Sequence, residues 1–261
     1  MLTVTSAQLN AWMALFIWPF FRILGIIATE PVLGNRSIPA TVKIGLAALI
    51  AILLAPNLGN IPAVEPGSAK GLLIIVQQVM IGVSIGFAMR IVYTSVEMAG
   101  HLVGLQMGLG FATFYDPQNS AQLPIMSQFM GLLTVLVFLS MNGHQMVLMA
   151  LADSFQVLPV LAEPVSSQGW RALAGWGAEL FRVGVWLSLP VVATLLITNL
   201  SIGVMTRAAP QLNIFAVGFP ITLSVGFLVL AISLPYLLPL IGQLLQSGTM
   251  MMVKVPQLLR P

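Results

Sequence analysis

GLLIIVQQVMIGVSIGFAMRIVYTSV, running from Gly71 to Val96, decides the fold class. A helix needs roughly 20 apolar residues to cross a bilayer, and this stretch exceeds that length. Its one ionised side chain is Arg90. Apolar residues follow one another without alternation. A membrane-barrel strand is shorter and alternates apolar with polar positions, so the stretch reads as helix. A helix also satisfies its own backbone polar groups, the condition for entering lipid.

Similar runs lie on either side. They extend from Leu9 to Ala28, Ile38 to Pro56, Met98 to Tyr115, Leu123 to Met141 and onward to Leu161. Two more cover Ala172 to Leu200 and Leu212 to Leu245. Over 261 residues, 58% are hydrophobic and 7% charged. A soluble domain carries roughly 25% charged residues, so this chain lacks the charge to cover a water-facing surface. The expected class is an all-α integral membrane protein, one embedded unit across 1–261. The first apolar run has no basic residue before it and no small-residue cleavage site, so it is expected to be retained.

The breaks are short and rich in turn residues: Glu30 to Pro39, Asn57 to Lys70, Asp116 to Ser120 and Glu163 to Gly169. Short connections make neighbouring helices antiparallel hairpins. Pro19, Pro190, Pro220, Pro235 and Pro239 fall inside apolar sequence, where each removes a helix hydrogen bond. With 23 glycines beside them, they predict kinked or broken helices packed against other protein. Arg22, Arg36 and Lys43 flank one connection, which the excess of positive charge on cytoplasmic loops would place inside the cell. Arg90, Arg171, Arg182 and Arg207 do not alternate with it, so a plain serpentine does not fit.

The chain has no cysteine, which excludes disulfides and thiolate chemistry. Its 10 Lys+Arg are scattered, with no cluster suited to nucleic acid. His101 and His144 have no Asp, Glu or His at ligand spacing, so no metal or other cofactor is expected. Gly82-Val83-Ser84-Ile85-Gly86 matches the pattern of a hydrolase nucleophile elbow. That motif requires a strand before it and a helix after it, and here it sits within one apolar run. An intramembrane hydrolase, with Ser84 as nucleophile and a histidine as base, is the weakest of the functional readings.

Glycine spacing carries more. Gly82 and Gly86 stand four apart, as do Gly100, Gly104 and Gly108. Such spacing lines one helix face with small residues and lets another backbone approach. Arg22, Arg90, Glu97, Glu179 and Arg182 are charges within apolar sequence. Such charges are functional by default, the alternative being helix-end positions from which they reach the membrane surface. Glu179 and Arg182, three apart, can form an ion pair on one face. From Gly104 to Pro117 the chain reads GLQMGLGFATFYDP. Glycines followed by rings suit a yielding hydrophobic constriction. They equally suit a helix end with an aromatic belt at the membrane surface.

Several strings resemble one family. They are Trp18-Pro19 with Arg22, Ile38-Pro39 with Lys43, Gly104 to Gly108, Phe111 to Phe114 with Asp116-Pro117, and Asn142-Gly143-His144. Arg207 to Phe215 and Gly218-Phe219-Pro220 belong with them. Together they are similar to the FliR/SctT family of type III secretion export-gate proteins, nearly end to end. The resemblance implies a non-enzymatic core component of the flagellar export gate in the bacterial inner membrane, at the flagellar basal body. It implies a hetero-oligomer with FliP and FliQ in a helical, pore-enclosing assembly, standing partly towards the periplasmic side. FlhB and FlhA are the further partners, lipid surrounds the assembly, and unfolded flagellar subunits are its cargo. Residues 1–200 would be FliP-like and 201–261 FliQ-like. A plug loop would fall near 106–122, using Gln106, Met107, Gly108, Gly110, Phe111, Phe114, Tyr115, Asp116 and Pro117. His101 stands where some members carry an acidic residue and is not counted as a site. The reading from a different class is a secondary transporter with broken helices around a midplane solute site.

Overall fold

The computed structural model describes residues 5–58, 61–62, 64–110, 124–160, 163–211 and 213–260. Among them there is no strand. The helices are α1 (Ser6–Thr29), α2 (Ala40–Leu54), α3 (Ala69–Gln106), α4 (Ile125–Ser140), α5 (Gly143–Val157), α6 (Ser167–Trp176), α7 (Ala178–Ala208) and α8 (Ile214–Leu259). A 3₁₀ turn, Ala55–Asn57, follows α2. Among the described residues, four spans are long and apolar enough to cross a membrane: Gln8–Thr29, Ala69–Gln106, Ser167–Ala208 and Ala216–Leu259. The broken pair α4 and α5 supplies a further one if counted together. The protein is an all-α integral membrane protein.

Local sequence sets the helix ends. Thr5 caps α1 in a reciprocal capping box with Gln8, satisfying two amides that the helix leaves open. Ser166 caps α6 by accepting from the Gln168 amide at 3.3 Å. Between α4 and α5 the break falls at Asn142, which adopts φ 56°, a left-handed conformation that asparagine tolerates better than most residues. Pro19 and Pro190 lie inside α1 and α7, and Pro220, Pro235 and Pro239 lie inside α8. Helical structure runs through all five, so the break comes at an asparagine–glycine pair instead.

Two runs that the sequence separates at Glu97 form one helix, the 38-residue α3. A single carboxylate leaves the backbone ladder intact, and no proline or turn residue accompanies it. Likewise α8 continues past Leu245 to Leu259. At 1.5 Å per residue α3 is about 57 Å long and α8 about 69 Å, against about 30 Å of bilayer hydrocarbon. Hydroxyls inside the helices bond back to the preceding turn: Ser84 donates to the Met80 carbonyl at 2.6 Å, Thr134 to Met130 at 2.8 Å and Thr194 to Pro190 at 2.8 Å. Each polar side chain is thereby satisfied without water.

The chain forms two compact units. The first comprises Met1–Ile91, Asn142–Gly177 and Leu245–Pro261. It holds Trp18, Ile23, Ile74, Ile81, Ile85 and Leu158 as fully buried side chains. Ser166 donates its amide to the Leu259 carbonyl at 3.0 Å, tying the start of α6 to the end of α8. The second comprises Val92–Met141 and Ala178–Leu244. Here Tyr93 meets Phe138 edge to face, ring centroids 5.9 Å apart, and Val96, Ala99, Met130, Leu187 and Val191 line a small apolar void.

Candidate functional site

Three glycines bring α1 and α3 into backbone contact within the first unit. A Cβ on Gly25 would lie 2.8 Å from the Val79 carbonyl oxygen and 3.0 Å from the Val83 amide. A Cβ on Gly82 would collide with the Arg22 carbonyl, and one on Gly86 would lie 2.8 Å from the Ile26 carbonyl. Each of these neighbours is main chain, which has little room to move. Small residues on both sides let two backbones approach, as helices do when lipid offers no hydrophobic drive for association.

That approach surrounds a polar centre. Arg22 is fully buried. Its Nε donates to Gln78 Oε1 at 2.8 Å on α3, and its Nη1 donates to the Ser154 carbonyl at 2.9 Å in the last turn of α5. The guanidinium carbon lies 4.2 Å from the centre of the Phe155 ring. No carboxylate lies within ion-pair distance of Arg22 among the described residues. The negative end of the α5 dipole and the face of an aromatic ring take the place of a counter-ion. Arg22 therefore does not extend to a membrane surface. The sequence marks it as an unusual charge, but its partners are 56 and 132 residues away along the chain.

In the second unit, Gly100 and Gly104 face α4. A Cβ on Gly100 would meet the Met126 carbonyl carbon at 2.9 Å, and one on Gly104 would meet Met126 Cβ at 3.3 Å. Gly131 of α4 makes room for Glu97, its hypothetical Cβ being 3.1 Å from Oε1. Gly108 does something different. Its φ is 84°, the Gly108 amide bonds to the Leu105 carbonyl at 3.0 Å, and the Leu109 amide bonds to Gly104 at 3.0 Å. This is the paired 5→2 and 6→1 pattern by which a left-handed glycine ends a helix. Gly108→Ala is expected to destabilise this terminus by about 1 kcal/mol, the cost of a Cβ in the left-handed region. A lowered melting midpoint of the purified protein would register it, and an unchanged one would show that the terminus rearranges freely.

The residue before that glycine is anchored. Met107 is fully buried. Its Cγ would sit 2.7 Å from a Cβ on Gly226 of α8, and its carbonyl lies 3.4 Å from Thr222 Oγ1, which donates more closely to the Phe219 carbonyl at 3.0 Å. Gln106, which closes α3, precedes Met107, and Gly110 lies three residues beyond. Phe111, Phe114, Tyr115, Asp116 and Pro117 lie outside the described residues. The structure thus places the root of the ring-bearing segment. Thr222 and Gly226 carry no sequence signal of that role, because the contact joins residues 115 apart.

Glu179 and Arg182 pair in the first turn of α7, Nε to Oε2 at 2.9 Å, with Arg182 74% exposed. Ser84 is buried in the middle of α3 with its hydroxyl given to Met80, so the strand and turn of a nucleophile elbow are not there. No cluster of three or more His, Asp or Glu side chains suited to a metal occurs among the described residues.

Comparison with known proteins gives these features a family. The chain is 44% identical over 239 residues to the flagellar biosynthetic protein FliR of Pectobacterium carotovorum subsp. carotovorum, covering 92% of this chain and 91% of that one. It is 42% identical over 241 residues to the protein of that name from Escherichia coli strain K12, covering 92% and 91%. The Bacillus subtilis strain 168 protein of that name is 31% identical, covering 83% and 85%. Residues 13–248 match the family described as bacterial export proteins, family 1. The buried Arg22 centre, the glycine contacts and the anchored Met107 all fall within that match, and the chain belongs to the bacterial export proteins, family 1.

Proposed function

We propose that this chain is a non-enzymatic core subunit of the flagellar type III protein export gate, in the bacterial inner membrane at the flagellar basal body. The observation that carries the proposal is the identity of 42–44% to proteins named flagellar biosynthetic protein FliR over 92% of the chain. The proposed partners are FliP and FliQ in one helical assembly, with FlhB and FlhA beside it, and the cargo is unfolded flagellar subunits. Within the chain, 1–200 would be a FliP-like part and 201–261 a FliQ-like part. Helices of about 57 and 69 Å exceed a bilayer core, which supports an assembly that extends beyond the membrane plane.

The channel-sealing role rests on 106–122. The chain leaves α3 through the left-handed Gly108, and Met107 just before it is fully buried against Gly226. A fixed root with a glycine beyond it suits a segment that yields at its tip. Phe111 and Phe114 would close the resting lumen by excluding water, as hydrophobic constrictions do. Replacing both rings with glycine is expected to make the resting gate leak ions, read as conductance of the assembled complex in a planar bilayer. Conductance equal to that of the unaltered complex would remove these rings from the seal.

Co-expression with FliP and FliQ, gentle extraction and mass determination test the larger reading. A defined complex of all three supports it. A chain that purifies alone and binds neither would overturn it.

A further inference from the structure

Glu30 follows directly on α1 and is fully buried. Its Oε2 accepts from the Val32 amide at 2.9 Å and the Leu33 amide at 2.6 Å. Its Oε1 has no partner. No lysine or arginine nitrogen lies within ion-pair distance of it among the described residues. The charged groups on the surrounding elements are Arg22 of α1, Arg36 in the connection, Lys43 of α2, and Lys70, Arg90 and Glu97 of α3, of which Arg90 acts on Glu30. Lys43 gives its ammonium to the Gly34 carbonyl at 2.8 Å, while Arg36 and Arg90 are exposed. From α3, Gly86 brings its backbone close, so that a Cβ there would lie 3.0 Å from the Glu30 amide nitrogen. The carboxyl is therefore shut away from water with half of its acceptor capacity unused.

We propose that Glu30 is a reversible proton-binding site built into the turn that joins α1 to α2. The proton comes from water and goes onto Oε1, the oxygen that no donor faces. Oε2 keeps both amides in either state, so proton uptake removes a buried charge without breaking a hydrogen bond. On release the proton goes to water and the negative charge reappears on the carboxylate, where the two amides and the distant pull of Arg90 favour it. Burial pushes this carboxyl from 4.5 up to about 7, against the opposing effects of the Leu33 and Val32 amides and Arg90. Between those values the folded chain holds a proton that the unfolded chain has released. The contribution to stability is therefore most favourable below 4.5, falls as pH rises to about 7, and stays lowered above that.

The test is infrared difference spectroscopy of the full chain in lipid nanodiscs, titrated from about pH 5 to about pH 9 so as to span the transition. A protonated-carboxyl component is expected to vanish with a midpoint near 7, and that component is expected to be missing in Glu30→Gln, which keeps only the tail of the ordinary carboxyls at about pH 5. Arg90→Gln alters an exposed side chain and keeps the experiment decisive should Glu30→Gln fail to insert. Its midpoint is expected to rise, because a cation that favours the ionised form has gone. A Glu30→Gln spectrum matching the unaltered one would overturn the proposal, as would an Arg90→Gln midpoint that stays put. The readout follows one carboxyl and does not involve export, so its failure is separate from any failure of the export-gate reading.

Discussion

Gly82→Ala, the addition of a single methyl group, is expected to lower the stability of the chain by about 1–3 kcal/mol, the range seen when atoms are forced into a filled interior. The methyl would overlap the Arg22 carbonyl. That oxygen belongs to a helix and cannot swing aside as a side-chain end would. α1 and α3 must separate, and the carbonyl sits on the residue whose guanidinium bonds to Gln78 and Ser154. Contact and polar centre are therefore expected to fail together. Gly45→Ala and Gly203→Ala are the controls, since a Cβ at either meets nothing within 4 Å. Both are expected to be neutral or to stabilise by up to about 1 kcal/mol, because alanine is the better helix former. Heating the detergent-extracted protein and following the folded fraction compares all three. Equal midpoints for Gly82→Ala and Gly45→Ala would mean that the helices do not pack through this face.

Arg22→Ala is expected to cost more, about 3 kcal/mol or above. Hydrogen bonds from a charged donor contribute about 1.5–3 kcal/mol each, and truncation also leaves a cavity. Gln78 Oε1 would lose its donor in a site closed to solvent. Arg22→Lys is expected to recover only part of the loss, because one ammonium cannot reproduce the guanidinium's fork or its stacking on Phe155. Pairing Arg22→Ala with Gln78→Leu distinguishes a network from independent contacts. The double variant is expected to be less harmful than the sum by about 1 kcal/mol, as the second change removes the group that the first one orphans. Strict additivity would deny the coupling. A fully stable Arg22→Ala protein would show that the buried charge is tolerated and contributes nothing.

The helical membrane class was legible because continuous apolar runs state it directly. Helix limits were less so. Glu97 looks like a divider in the sequence and is not one, since a lone carboxylate with Gly131 making room for it leaves α3 unbroken. The prolines look like breaks and lie within helices, while Asn142 makes the break. Arg22 could be flagged from its setting, but Gln78, Ser154 and Phe155 could not be joined to it, because they come from other helices. Glu30 had no signal at all. An acid beside a proline in a connection reads as solvated, and only the fold shows that Gly86 and the returning Val32 and Leu33 amides enclose it. The role in export came from resemblance to a family, which composition and spacing cannot supply.

The lengths of α3 and α8 also bear on how the protein is made. A lone helix in lipid settles by matching its apolar length to the bilayer. A helix of about 57 or 69 Å, apolar over much of its length, exceeds such a match at any modest tilt. A newly made copy without neighbours would hold greasy surface in water or distort the membrane around it. Either state invites membrane proteases. Within the proposed assembly, the number of copies in a cell is then expected to follow the supply of partner subunits rather than its own synthesis, with surplus chain degraded.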